Sequence, residues 1–135
     1  MYLFDTDILS HVLKKNPSPL LLKRLAATPP ELQFTTAVNV AEIYYGAARL
    51  PHGDRIVRVF EESVFPTLTI LPFDLESAKV FGTVKAKLEK RGRPRSEPDL
   101  QIASIALAHR LTVITANTKH FENIPGLHIE NWLEP

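Results

Sequence analysis

Apolar residues fall into two patterns along the chain: short unbroken runs, and stretches in which they recur every three or four positions. The first marks buried strands and the second helices with one apolar face. Tyr2 to Phe4 form the first run, after which Ile8, Leu9, Val12 and Leu13 line a helical face until "NPSP" breaks it. A second helix passes through Leu20, Leu21, Leu22 and Leu25 and ends at "TPP", and "ELQFTT" reads as the second strand. Residues 38–50 form a helix carrying Ala41, Tyr44, Tyr45 and Ala48, stopped by Pro51; residues 54–65 form another through Ile56, Val59, Phe60 and Val64. "TLTILPF" is the third strand, closed by Pro72. A long helix over 74–90 turns Ala78, Phe81, Val84 and Leu88 inward, with Asp74 as its cap. The loop "RGRPRSEP" follows, then a helix over 97–109, a fourth strand "LTVIT" and a fifth, "GLHIE".

Short apolar strands separated by helices predict an α/β fold. The expected form is a three-layer α/β/α sandwich with a central, mostly parallel sheet of about five strands, residues 1–135 making one domain. In such sheets ligands gather beyond the carboxyl ends of the strands, near a switch in strand order. The residues there are Asp5, after the first strand, and Asn117, just past the fourth. Helices that follow strands start on the same edge, which adds Glu42 and Asp99.

Each of these has a purely structural explanation too. Asp5 or Thr6 caps the first helix, Asn39 with Glu42 and Ser96 with Asp99 have the spacing of capping pairs, and Asn117 caps the turn in "NTKHF". Taken together the explanations weaken. Carboxylates crowded at one end of a sheet repel each other unless something positive neutralises them, and no lysine or arginine lies within four residues of Asp5 or Glu42. A divalent cation is the natural neutraliser. Oxygen ligands and the absence of cysteine point to Mg²⁺ or Mn²⁺ rather than zinc, and such an ion suits phosphodiester hydrolysis. No GxSxG elbow, GxxxxGK[ST] loop or HxxxH pair offers a different chemistry.

Composition narrows the partners. With a net charge of +1 there is no global field, so a nucleic-acid surface has to be local. "KAKLEKRGRPR" sets Lys85, Lys87, Lys90, Arg91, Arg93 and Arg95 against Glu89 alone, and reads either as a solvated helix end or as a phosphate-contacting rim. Acids at positions 5 and 7 argue against a secretory leader, and no apolar run reaches the roughly 18 residues of a membrane span, so a cytoplasmic protein with no membrane partner is expected.

"YLFDTDILS", "TTAVNVAEIYYGA" and "EPDLQIASIALAHRLTVITANTKHFENIPGLHIENW" resemble the PIN-domain ribonuclease toxins of the VapC type, over nearly the whole chain. The resemblance implies a parallel α/β/α sandwich and a Mg²⁺- or Mn²⁺-dependent endoribonuclease. It also implies a VapB-like antitoxin as inhibitor, a homodimer, and a heterotetramer or larger assembly with the antitoxin. By position, the family's acids fall on Asp5, Glu42 and Asp99, and its fourth site falls on Asn117, with Thr115 before it. Asp5 and Asp99 are then the main metal ligands, Glu42 holds or orients a water, and Asn117 accepts a hydrogen bond without adding charge. Thr6 and Asp7 are secondary candidates, as is His120, which stands where many relatives carry an acid. His120 reads either as a phosphate-facing group or as a turn residue beside Phe121. Three carboxylates imply one metal ion, with a second recruited only by the RNA phosphate. The rivals are a catalytically weak or inactive PIN-like module that binds RNA or protein, and a haloacid dehalogenase-like phosphatase, which lacks here its late acidic pair.

Overall fold

A computed structural model describes residues 1–135. β1 (Tyr2–Phe4) occupies the centre of a five-stranded sheet ordered β3-β2-β1-β4-β5, with β2 (Gln33–Thr36), β3 (Thr69–Leu71), β4 (Thr112–Ile114) and β5 (Ile129–Glu130). Every pairing is parallel; Leu3 stands opposite Phe34 on one side and Val113 on the other. The chain builds outward from β1 through β2 to β3, then returns to lay β4 on the free side of β1. The strand order therefore switches between β1 and β4.

Alternation along the strands feeds two cores. Leu3 and Val113 face a layer made by α5 (Leu75–Lys90) and α6 (Glu97–His109), where Val84, Leu88, Leu100 and Ile105 are buried. Phe4 and Ile114 point the other way. They meet Ile8 and Leu9 of α1 (Thr6–Val12), Leu21 of α2 (Pro19–Ala26), Ile43 of α3 (Ala37–Ala48), Phe60 and Trp132. The Trp132 ring lies 4.9 Å from that of Tyr2 and 5.5 Å from that of Phe4. Each fully buried side chain of this size stabilises the fold by roughly 1.5–3 kcal/mol, so strands of three or four residues suffice when both faces are covered. The expected α/β/α sandwich and parallel sheet are what the chain adopts.

Two local expectations are corrected. The helix expected over 54–65 is α4 (Gly53–Val59) followed by a π-helical turn (Phe60–Val64), in which the Phe65 N–H reaches the Phe60 carbonyl, and then a 3₁₀ turn (Phe65–Thr67). The wider turn rotates the apolar face, so Phe60 is buried while Ile56 and Val59 lie outside. There they border, with Leu13 and Arg55, an open groove of about 450 Å³. In α5 it is Ser77, not Ala78, that points inward. Tyr44 and Tyr45, which read as packing residues with a dimer surface as one place for it, are exposed on α3, Tyr44 beside Phe65 and Tyr45 under Arg49. No helix is long and apolar enough to cross a membrane.

α5 and α6 run antiparallel, which matters for the site. Asp74 at the start of α5 meets His109 at the end of α6 (3.6 Å), and Lys85 meets Glu97 at the other end (3.2 Å). The basic loop between them is thus brought beside the first turn of α6. Asp74 caps α5 as expected, its Oδ1 accepting from the Ser77 N–H (2.9 Å) and hydroxyl (2.6 Å). These bonds, with a smaller contribution from His109, hold the Asp74 carboxyl below its ordinary range. A depressed folded value means stability that is present above the unfolded value and lost as pH falls through the folded one. Asp74→Ala therefore lowers the melting temperature at pH 7, and the gap to the parent closes in thermal scans below about pH 4.

Candidate active site

β1 ends at Phe4, and Asp5 takes an extended conformation (φ −73°, ψ 161°) before α1 begins. Its N–H donates to the Ile114 carbonyl (3.0 Å), so the residue sits at the junction of β1 and β4, on the switch point. The side chain is 8% exposed. Asp5 Oδ1 accepts from the Thr6 N–H (2.9 Å) and from Asn39 Nδ2 (2.9 Å), and Oδ2 accepts from the Thr115 hydroxyl (2.9 Å). Three neutral donors thus hold this carboxylate. No lysine or arginine pairs with it.

The other acids gather round the same point. Glu42, on the second turn of α3, accepts from the Thr6 hydroxyl at Oε1 (3.2 Å). Asp7 Oδ2 accepts from the N–H groups of Ala116 (2.9 Å) and Asn117 (3.2 Å), which fastens the turn after β4 to α1. Its Oδ1 is buried with no partner. Asp99 lies in the first turn of α6, which Ser96 caps; its Oδ2 is 3.3 Å from His120 Nδ1.

Burial, then the charge of Asp7 and, more weakly, that of Asp99, push the Asp5 carboxyl above its ordinary range against the hydrogen bonds from Thr115 and Thr6. Glu42 is raised as well, by burial first and then by Asp5, Asp99 and Asp7. The charge of Asp99 thus raises both Asp5 and Glu42, and that of Asp5 raises Glu42. No three of the acids and histidines stand close enough to grip a common ion directly. An arrangement of this width suits an ion that keeps part of its water shell.

The remaining candidates divide. Thr6 and Thr115 are donors inside the network. Asn117 contributes its backbone N–H to Asp7, while its side chain makes no cap bond and stays exposed at the rim. His120 is on the rim with its Nδ1 turned to Asp99. Arg91 and Arg93 are exposed, but Arg95 is not a free arm. Its guanidinium lies on the carbonyls of Arg93, Pro94 and Glu122, tying the basic loop to the segment after His120.

Sequence reasoning missed Asn39. The N-cap of α3 is Thr36, so the Asn39–Glu42 capping pair does not form; Asn39 is fully buried and spends its amide on Asp5 and Thr6. The available signal was an amide between Val38 and Val40, one turn before Glu42.

A parallel sandwich with its strand order switching between β1 and β4 defines a class of α/β proteins in which ligands bind at the carboxyl edge. The PIN domain profile matches residues 2–127, and the chain belongs to the PIN-domain family. It is 33% identical over 132 residues to ribonuclease VapC2 of Haemophilus influenzae, with 98% of each chain covered. Among solved structures, FitAcB from Neisseria gonorrhoeae superposes with a TM-score of 0.90 at 27% identity, covering 100% of both chains. VapBC2 from Rickettsia felis, bound to a DNA fragment from their promoter, gives 0.88 at 26% identity over 97% of this chain and 98% of that one.

The raised carboxyls make a pH prediction. An acid whose folded value lies above its unfolded one contributes stability that is present at low pH and lost as pH rises through the folded value. In chelator, Asp5→Asn melts higher than the parent at pH 7.5, and this advantage shrinks toward pH 4 in differential scanning calorimetry. A variant that melts lower by the same margin at every pH contradicts the repulsion.

Proposed function

We propose that the chain is a Mg²⁺- or Mn²⁺-dependent endoribonuclease that acts as the toxin of a type II toxin–antitoxin pair. Its restraining partner is a VapB-like antitoxin, and it forms a homodimer that builds larger assemblies with that partner. One observation carries the reading: Asp5 and Glu42 share one hydrogen-bond network through Thr6, the negative charge of Asp99 reaches both, and no lysine or arginine pairs with any of the three. Kinship with ribonuclease VapC2 supplies the substrate class.

The residues fit a divalent ion. The donors are all oxygen, Asp7 Oδ1 is buried without a partner, and no lysine or arginine forms an ion pair with Asp5, Asp7, Glu42 or Asp99. Asp5 and Asp99 would be the principal ligands, with Glu42 and Asp7 acting directly or through water. A bound divalent ion supplies Lewis-acid activation of water and neutralises phosphate charge. Glu42 Oε2 is left free by the Thr6 bond at Oε1, and its raised proton affinity suits it to accept the proton of the attacking water. As that water adds to phosphorus, one phosphorus–ribose oxygen bond breaks. In this reading the exposed Asn117 amide accepts a hydrogen bond from a water at the site without adding charge. Arg91 and Arg93 contact backbone phosphates further along the strand, offsetting the repulsion between RNA and the acids.

A second reading has one feature behind it. Asn117 stands where a fourth acid would complete the set, which suits a PIN-like module that holds RNA or protein without cutting. Metal-dependent cleavage separates the two.

Purified Asp5→Asn and Asp99→Asn lose RNA cleavage by more than roughly 100-fold in Mg²⁺ while remaining folded, since even the outer partners of metal ligands are worth 10–100-fold. Parent-like cutting by either variant contradicts the assignment. Neutralising Arg91 and Arg93 together flattens the dependence of log affinity on log salt by about 0.7 per arginine for a single strand, measured by fluorescence anisotropy on labelled RNA with Ca²⁺ replacing Mg²⁺. An unchanged slope leaves the loop as solvated surface.

A further inference from the structure

Asn39 is fully buried three residues into α3. Each of its amide groups has a definite partner. The Thr36 hydroxyl donates to Oδ1 (2.7 Å), which fixes the direction of the amide plane. The two hydrogens on Nδ2 are then divided between Asp5 Oδ1 (2.9 Å) and Thr6 Oγ1 (3.1 Å). A flipped amide would face a carbonyl oxygen toward the Asp5 carboxylate, so only one orientation is compatible with its neighbours. Thr6 Oγ1 accepts from Asn39, and its single proton is therefore committed to Glu42 Oε1 (3.2 Å). The result is a directed relay from the end of β2 through one amide to two of the three proposed metal-binding acids. Consecutive donors of this kind polarise one another.

We infer that Asn39 is a positioning residue for the metal site, fixing the Asp5 carboxylate directly and the Glu42 carboxylate through the Thr6 hydroxyl. The inference deepens the ribonuclease reading and rests on it for the identity of the ligand. Asp5 Oδ1 is occupied by the Asn39 amide and the Thr6 N–H, whereas Oδ2 has the Thr115 hydroxyl alone, so Oδ2 would be the freer oxygen for an ion. Without Asn39, Asp5 keeps one donor on each oxygen and gains rotational freedom, and Thr6 is no longer obliged to point at Glu42.

The test compares the parent with Asn39→Leu, which keeps the volume and removes both donors, with Thr6→Val, and with the double variant. Mn²⁺ affinity is measured by titration calorimetry on metal-free folded protein, alongside kcat and KM on an RNA oligonucleotide. Asn39→Leu weakens Mn²⁺ binding by about 10–100-fold and lowers kcat to a similar degree, with KM little changed. Thr6→Val gives a smaller loss of both, and the double variant falls short of the product of the two, because they share the Glu42 arm. A folded Asn39→Leu protein whose Mn²⁺ affinity and kcat match the parent overturns the inference, whatever its melting temperature. Should Asn39→Leu fail to fold, Thr6→Val decides, and parent-like affinity and kcat there overturn it equally. A parent that binds Mn²⁺ but cuts no RNA defeats the ribonuclease reading alone, since the affinity comparison still judges Asn39. A parent that binds no Mn²⁺ overturns both.

Discussion

Three carboxylates, those of Asp5, Asp7 and Glu42, are held beside the junction of the two central strands by donors that carry no charge, and a fourth, that of Asp99, stands on α6 with His120 beside it. A hydrogen bond to a charged group returns about 1.5–3 kcal/mol, whereas removing an ion from water costs several kcal/mol before like charges are brought together. For Asp5 the donors do not offset the burial and repulsion, and its carboxyl stays raised. In the proposed reading a bound cation supplies the missing compensation. The neutral donors fix where the charge sits and leave open what neutralises it.

A comparison within the same molecule makes the point sharper. Asp74 and Asp5 both cap helices by accepting from the first turn, yet the first is shifted down and the second up. The capping bond is of the same kind in each. The difference lies in the surroundings: Asp74 is partly solvated and has His109 beside it, while Asp5 is buried with acids for neighbours. Capping and function are thus not competing explanations of Asp5. The cap holds the carboxylate in one orientation, and the sheet places that orientation at the switch point. Ser96 does the same for Asp99 by starting α6 just before it, which leaves the Asp99 carboxylate free to face His120.

What the sequence reveals follows from range. Short apolar runs and helical periodicity are local, so the five strands, the parallel sandwich and the positions of Asp5, Glu42 and Asp99 could be read from residue types alone. Asn39 could not, because its role depends on Asp5, 34 residues away, and its local spacing imitates a capping pair. Arg95 looks like one more basic residue in a loop until the fold lays Glu122 beneath it. The π-helical turn at Phe60–Val64 hides for a similar reason: no residue type encodes it, and it shows only as Ile56 and Val59 turned outward. Tyr44 and Tyr45 show the same limit, since only the fold reveals that they pack against Phe65 and Arg49 at the surface of α3.

Everything said of function depends on one cation settling among side chains that by themselves only repel. Crystals of the chain soaked in Mn²⁺ and measured near the manganese absorption edge put this to the most direct test. The account predicts an anomalous peak within direct or water-bridged reach of Asp5, Glu42 and Asp99. Strong Mn²⁺ peaks elsewhere on the molecule, with none between these acids, would contradict it.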